Sequence, residues 1–192
     1  DFDPVTNDRK GLLIEESRTN LIIRSESFSN WSLQDSTLST NATTAPDGTT
    51  NAVKLVENTD NDDHLIGISV TITSGATCTL SAFLKQSESN RHGYLRTNNE
   101  GTSTYIVVDL SIFVFGAQFE EGSFPTSYIP TSGATATRAA DVATIATSAF
   151  GYNQDEGTFL AEASTFDGSG SAKIVFIATS SSAQNTDRFM LF

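Results

Sequence analysis

The chain has 192 residues, and its 23 acidic against 11 basic side chains give a formal net charge of −12. A chain of this length can bury a sizeable core in one β-sandwich, or in one sandwich and part of another, without disulfides or metal ions. Because acidic residues are spread along the chain and no apolar run reaches the roughly 20 residues of a membrane-spanning helix, neither nucleic-acid binding nor membrane insertion is expected.

Short strands between polar loops are predicted along the first 60 residues. Apolar residues at 21–23, around Leu38, and at Val53 and Leu55 predict three strands separated by Ser- and Asn-rich loops. The sequence Pro-Asp-Gly at 46–48 is a turn signal between the second and the third of them. Many short strands and no long helical stripe favour an all-β fold.

The most regular alternation lies in residues 66–84. Apolar residues occupy every second position of two runs: Ile66, Ile68, Val70 and Ile72, and then Ala76, Cys78, Leu80, Ala82 and Leu84. The pattern predicts two half-buried strands, and Gly75 between them predicts a β-hairpin. Cys78 is the only cysteine, so no intrachain disulfide can form, and its apolar setting predicts a core residue rather than a reactive thiol.

Further strands are predicted at 94–96 and 105–110. Residues 104–119, TYIVVDLSIFVFGAQF, offer strand-forming residues without a break, whereas strands usually have roughly 3 to 10 residues. Two strands are therefore predicted with no turn between them. Our hypothesis is that a loop and some strands are missing between Ser111 and Ile112.

A domain boundary is predicted at 131–141, TSGATATRAAD, where small residues and little apolar content are typical of a linker. Residues 1–130 would then form one sandwich. Residues 142–192 would form the opening strands of a second one, because roughly 50 residues are too few for a self-sufficient core. The predicted fold class is all-β: an antiparallel β-sandwich of the jelly-roll type plus a partial second β-sandwich.

Four segments carry a family resemblance. They are DFDPVT at 1–6, GLLIEESRTNLIIRSESFSNW at 11–31, ATTAPDGTTNAVKLVE at 42–57 and FGAQFEEGSFPTSYIPTSGATATRAAD at 115–141. In this order they resemble a module of tailed-phage tail fibre and minor tail proteins, which is itself similar to jelly-roll carbohydrate-binding modules. In such proteins a laminin-G-like or concanavalin-like lectin domain follows, and residues 142–192 resemble its start.

The resemblance implies a virion protein of the phage tail, extracellular when it acts. It further implies recognition of host-surface glycans, assembly as a homotrimer and contact with other phage tail proteins. In the family pattern a further stretch separates the counterparts of 107–111 and 115–118. Its absence here agrees with the missing segment inferred from the strand lengths.

No catalytic constellation is expected. The two histidines, His64 and His92, stand in no metal-ligand spacing such as HExxH, and GxSxG, P-loop and GxGxxG motifs are absent. The pairs at 15–16 and 120–121 are adjacent glutamates, which point to opposite faces of a strand and cannot flank one glycosidic bond. We predict a non-enzymatic module; the alternatives are an architectural spacer of the tail appendage and part of a polysaccharide depolymerase.

Sugar binding needs aromatic faces and planar polar side chains. Trp31, the only tryptophan, lies in a Ser/Asn-rich loop, either as an exposed stacking platform or as a buried anchor. Tyr94 stands beside Arg91, His92 and Arg96, and this strand either binds a glycan or presents a solvated face.

Residues 123–130, SFPTSYIP, are predicted to form a strap whose backbone is fixed by its prolines. Phe124, Tyr128 and Ile129 are expected to pin this strap on the sandwich. Residues 115–131 would therefore comprise a closing strand followed by an exit strap.

Calcium is the one cofactor that the resemblance implies. Jelly-roll binding modules carry a structural calcium near their first and last strands, and the resemblance implies Glu26 and Glu120 as its ligands here. The acidic run at 57–63 is expected to be a solvated loop, because it lacks the glycine and the final glutamate of an EF-hand.

Overall fold

A computed structural model describes Thr6, residues 11–60, 62–87, 93–97, 103–108 and 111–151, and Asn153. This part of the chain is built from antiparallel strands, which confirms the predicted all-β fold class, and one short 3₁₀ turn, Thr147–Ala149, is its only helical element. The chain divides into two compact units, residues 1–143 and 144–192. Among the described residues, none belongs to a helix with the length and apolarity needed to cross a membrane.

Two four-stranded antiparallel sheets dominate the first unit. The first sheet contains, in spatial order, β2 (Ser32–Gln34), β5 (Leu65–Ser69), β8 (Ser103–Val108) and β7 (Gly93–Thr97). The second sheet contains β3 (Ser36–Thr43), β4 (Ala52–Glu57), β9 (Ser111–Glu121) and β6 (Cys78–Gln86). A two-stranded pair joins β1 (Arg18–Asn20) to β10 (Ala136–Arg138).

Apolar side chains of the two sheets meet in one core, as a sandwich requires. Ile66 of β5 and Leu55 of β4 are buried in the same cluster, together with Phe119 of β9. The predicted alternation in β6 is confirmed, because its inward residues, Cys78 among them, pack against this cluster. Burial raises the pKa of the Cys78 thiol, which favours its protonated form.

The predicted hairpin over residues 66–84 is wrong. β5 pairs with β2 and β8 in the first sheet, whereas β6 pairs with β9 in the second. The connection between them, with Val70 buried and Gly75 at a φ of 80°, carries the chain from one sheet to the other. Alternation shows only that each strand has one buried face, and it does not identify the strand beside it.

The uninterrupted run at 104–119 contains strands of different sheets. β8 pairs with β5 and β7, while β9 pairs with β4 and β6, so no hairpin loop is needed between them. Ser111 and Ile112 are consecutive residues of β9, opposite Val56 and Leu55 of β4. Because the chain changes sheets between β8 and β9, no turn is needed between these strands. The missing segment between Ser111 and Ile112, which the family pattern also suggests, stays a prediction.

The segment predicted as a linker, residues 131–141, packs within the first unit. β10 lies inside it and pairs with β1, and Ser132 forms an isolated bridge with Arg24. The amide of Asp141 also donates to the carbonyl of Glu15 at 2.8 Å. The unit boundary therefore follows residue 143, and nearly all of the predicted second sandwich lies outside the described residues.

Candidate ligand-binding groove

A β-bulge in β9 determines which of its side chains reach the outer face of the second sheet. Ser81 of β6 pairs with Gln118, but Phe83, two residues later, pairs with Phe115, so β9 contains one extra residue. Gly116, within this interval, has a φ of 63°, in the left-handed region that glycine adopts without strain.

The extra residue exchanges the two faces of β9, since side chains alternate with a period of two. Ile112 and Val114 point into the core before the bulge, and Ala117 and Phe119 do so after it. The side chains on the outer face are therefore those of Phe113, Phe115, Gln118 and Glu120.

Three aromatic rings pack together on this outer face. The ring centroids of Phe83 and Phe115 are 6.1 Å apart, and Tyr128 lies 5.7 Å from Phe115 and edge-on to Phe83 at 6.1 Å. Phe115 is buried, whereas Phe83 is 45% exposed. A Cβ on Gly116 would stand 3.0 Å from Cδ2 of Phe83, so the glycine permits the ring to lie close to the backbone. One aromatic face is thus presented to solvent on a packed support.

Two lysines flank Phe113 on the same face. Lys54 of β4 and Lys85 of β6 are its register partners on either side of the central strand. The ammonium nitrogen of Lys54 lies 5.9 Å from the Phe113 ring centroid, within cation–π range. In the part of the chain that the structure describes, neither lysine forms an ion pair with a carboxylate.

These side chains line a groove of about 300 Å³, a volume at the lower end of the range for ligand pockets. The connection between β3 and β4 forms one wall with Thr43, Thr44, Ala45 and Pro46. Among the described residues, those that line the groove include Phe83, Phe113 and Phe115, one base, Lys85, and no acidic residue. The groove therefore combines aromatic surface, threonine hydroxyls and positive charge.

Tyr128 closes the end of the aromatic cluster away from the lysines. Its hydroxyl lies 2.6 Å from Oγ of Ser25 and donates to Oε1 of Glu26 at 3.1 Å. Burial raises the pKa of the Tyr128 phenol well above its usual range, and the nearby Glu26 carboxylate acts in the same direction. The phenol therefore stays neutral and positions its ring against Phe83 and Phe115.

The strap predicted at 123–130 is confirmed, and buried polar side chains hold it. Glu120 has no exposed surface and accepts hydrogen bonds from the amide of Thr126 at 2.6 Å and from its hydroxyl at 2.8 Å. Gln118 donates to Glu120 at 3.0 Å and accepts from the amide of Ile129 at 2.7 Å. Of the three predicted anchors, Ile129 is buried, whereas Tyr128 and Phe124 are partly buried. The guanidinium of Arg18 lies over the Phe124 ring, 5.3 Å from its centroid.

Glu26 and Glu120, the implied calcium ligands, already accept hydrogen bonds from protein groups, and calcium binding by them stays a prediction. Glu120 already accepts three hydrogen bonds from Gln118 and Thr126, and Glu26 is engaged by Tyr128 and by Nδ2 of Asn51 at 3.5 Å. Within the described ranges, no cluster of three or more His, Cys, Asp or Glu side chains is arranged to hold a metal ion. Both carboxylates act here as hydrogen-bond acceptors that fix the strap and Tyr128.

Trp31 is a buried anchor, which is one of the two alternatives for it. Its side chain is only 6% exposed and packs against Phe28, with ring centroids 5.1 Å apart. The indole N–H donates to the carbonyl oxygen of Arg24 at 3.2 Å. No aromatic face of Trp31 is open for a sugar.

The remaining predicted glycan residues lie in or near β7, an edge strand of the first sheet. Arg91 and His92 lie outside the described residues, and so does the side chain of Tyr94, whose backbone pairs with Val107. Arg96 is 45% exposed and lies 3.8 Å from the carboxylate of Asp63. Arg96, the one side chain of this set that the structure describes, does not line the groove, which is on the second sheet.

Sequence reasoning missed the groove residues, although two signals were available. Phe83 is the one large apolar residue in the outward series of β6, between Ser81 and Lys85. In β9, large apolar residues stand on both faces, which indicates that a second surface besides the core uses them. The pairing of residues across β4, β9 and β6, which forms the groove, could not be predicted from the sequence.

No protein-family model matches this chain, and a comparison with curated proteins found no match either. Fold and site define the class: an antiparallel β-sandwich with an aromatic and cationic groove on the outer face of one sheet.

Proposed function

We propose that this chain is a non-enzymatic module of a phage tail fibre, spike or minor tail protein, and that it binds host-surface glycans in the groove of the second sheet. The observation that carries the glycan site is the Phe83 ring. It is 45% exposed, yet it packs on Phe115 and Tyr128. A preorganised aromatic face binds the apolar C–H surface of a sugar ring with little loss of side-chain entropy.

Polar groups beside the rings suit sugar hydroxyl groups. Lys54 and Lys85 can donate hydrogen bonds, and the hydroxyls of Thr43 and Thr44 can donate or accept them. Such binding needs no perturbed acid or base, and none of the described residues that line the groove is a carboxylate that could act as one. The groove is therefore suited to recognition of a saccharide rather than to its hydrolysis.

The phage tail context rests on the four sequence segments that resemble a tail module. The third segment, 42–57, includes the wall of the groove, and the fourth, 115–141, includes Phe115 and Tyr128. The host-surface glycan and the homotrimer are carried by this resemblance. Sedimentation analysis tests the trimer, because a monomer at micromolar concentration would remove its support.

Isothermal titration and a glycan array with host-surface polysaccharides test the glycan site. We expect Phe83→Ala to weaken binding about tenfold, since it removes the exposed stacking face. Leu33→Ala is the matched control, because Leu33 is also 45% exposed but belongs to β2 of the first sheet. Equal binding by the two variants would place the sugar elsewhere. If the unmodified protein binds no glycan of a broad panel, the result would instead indicate an architectural spacer.

A further inference from the structure

Lys85, which lines the groove, and Lys54, beside it, form a single row with Phe113. Lys54, Phe113 and Lys85 are register partners on β4, β9 and β6, so their side chains leave the same face of the sheet. Neighbouring strands are about 4.8 Å apart, which places the two lysine backbones about 10 Å from each other. The Phe113 ring thus lies between two lysine residues.

The charge of this row contrasts with the rest of the chain, which has 23 acidic against 11 basic residues. Arg18, Arg96 and Arg138 each lie beside a carboxylate. In the described ranges, by contrast, Lys54 and Lys85 have no carboxylate partner. Their charges are therefore available to a ligand.

Acidic residues near the aromatic cluster do not neutralise the row. Glu120 is fully buried and bound by Thr126 and Gln118, and Glu26 is bound by Tyr128 at the far end of the cluster. Asp47, which follows Pro46 of the groove wall, accepts hydrogen bonds from the amide and the hydroxyl of Thr49 and forms no ion pair with either lysine. In the part of the chain that the structure describes, no carboxylate lines the groove itself. Because few protein dipoles or charges oppose the lysines, an anion beside Phe113 would be stabilised by both of them.

We propose that the saccharide bound in the groove is acidic, with its carboxylate between Lys54 and Lys85 and an apolar ring face on the aromatic cluster. This inference rests on the sugar-binding function proposed above and specifies its substrate class. The overall charge of −12 repels polyanions from most of the surface, so the lysine row selects an acidic glycan locally rather than by general attraction.

The test compares matched ligands by isothermal titration with the full chain. Polygalacturonate, alginate and polysialic acid are each used in native form and after reduction of their carboxyl groups to alcohols. We expect at least one native polysaccharide to bind about tenfold more tightly than its reduced form at low ionic strength. Salt is expected to diminish the preference, because the ammonium groups are partly exposed to solvent.

Substitutions of Lys54 and Lys85 test whether these lysines cause the preference for the native over the reduced polysaccharide. Replacing both residues, Lys54→Gln with Lys85→Gln, is expected to remove the difference between native and reduced ligand. Lys54→Arg with Lys85→Arg is expected to retain it, since both positive charges remain. Arg96→Gln tests the alternative site on the other sheet, because Arg96 is an exposed base on β7 that the sequence named as a candidate for glycan binding. Loss of the preference in this variant would place the acidic group on β7 and overturn the role of the lysines.

Three outcomes oppose the proposal in different ways. Equal binding of native and reduced forms would overturn the acidic ligand while leaving sugar binding intact. A preference that persists in the double glutamine variant would overturn the role of the lysines. If neither these ligands nor a panel of neutral polysaccharides binds, the proposed sugar-binding function fails as well.

Discussion

Gly116 links the backbone of β9 to the shape of the groove. Its φ of 63° would strain any residue with a side chain, and a Cβ would meet the Phe83 ring at 3.0 Å. We expect Gly116→Ala to lower the free energy of unfolding by about 1–2 kcal/mol, and also to weaken glycan binding by displacing Phe83. Urea denaturation and isothermal titration measure the two effects.

Gly75→Ala is the control for this prediction. Gly75 also has a positive φ, of 80°, but a Cβ there would meet no atom within 4 Å. We expect this variant to lose a similar amount of stability without any change in ligand affinity. If both variants bind glycan alike, the close approach of Gly116 to Phe83 has no role in the groove.

His64 predicts a pH dependence of stability. Its Nδ1 lies 2.7 Å from the carbonyl oxygen of Asp35, and its Nε2 lies 3.7 Å from the Glu57 carboxylate. The hydrogen bond to Asp35, followed by the charge of Glu57, raises the pKa of His64 above its ordinary value, against the opposing effect of burial. A raised pKa in the folded state stabilises the protein below about pH 6.5, and this contribution is lost as pH rises through the folded-state pKa.

Chemical denaturation at intervals between about pH 5.5 and 8.5, on both sides of the ordinary histidine pKa, measures how the free energy of unfolding changes with pH. We expect stability to decline with rising pH in the unmodified protein, and this part of the decline to vanish in His64→Asn. An NMR titration that puts the pKa of His64 below its ordinary value would contradict the prediction.

At the scale of single elements, the strap after β9 depends on Glu120. Glu120→Ala leaves the amide and the hydroxyl of Thr126 without their acceptor, and Gln118 keeps only the carbonyl oxygen of Thr126 as an acceptor. An unsatisfied buried polar group costs about 1–3 kcal/mol, so we expect a loss of about 3 kcal/mol in the free energy of unfolding. Chemical denaturation of the variant measures it.

Glu121→Ala is the neighbouring control. Glu121 accepts one hydrogen bond, from the amide of Thr73, and is not fully buried. Its removal is expected to cost at most about 1 kcal/mol, since water can replace the lost partner. Equal losses in the two variants would mean that the strap does not depend on the buried carboxylate.

Strand prediction succeeded at this scale where the signal was local. The expected strands around Leu38, at Val53 and Leu55, and at 94–96 correspond to β3, β4 and β7. Residues 21–23 are not a strand, because β1 ends before them, at Asn20. The amide of Leu21 donates instead to the carbonyl of Phe119. Partner choice failed for β5 and β6, since it depends on contacts between residues far apart in the chain.

At the scale of the whole molecule, the first unit extends to residue 143. We expect a protein truncated after residue 143 to unfold cooperatively and to keep Trp31 in its buried environment. Tryptophan fluorescence during thermal unfolding follows this transition. The expectation has a physical basis, because the core cluster is built from residues between Ile22 and Phe119.

Truncation after residue 130, at the boundary predicted from sequence, is the comparison. It removes β10 and also Thr131, whose hydroxyl donates to the carbonyl of Ile22 at 2.6 Å. We expect this shorter protein to unfold at a clearly lower temperature than the one ending at 143. Identical transitions would support the linker interpretation of 131–141.

Local patterns in the sequence were sufficient for the fold class, for most strands, for the core position of Cys78 and for the strap that contains Tyr128. Each of these depends on the alternation of apolar residues or on proline geometry, which act over a few residues. The pairing of β5 and β6 and the groove were decided only in three dimensions. The bulge at Gly116 reverses the faces of β9, and strand pairing then brings Lys54, Phe83 and Phe113 together from three separate parts of the chain.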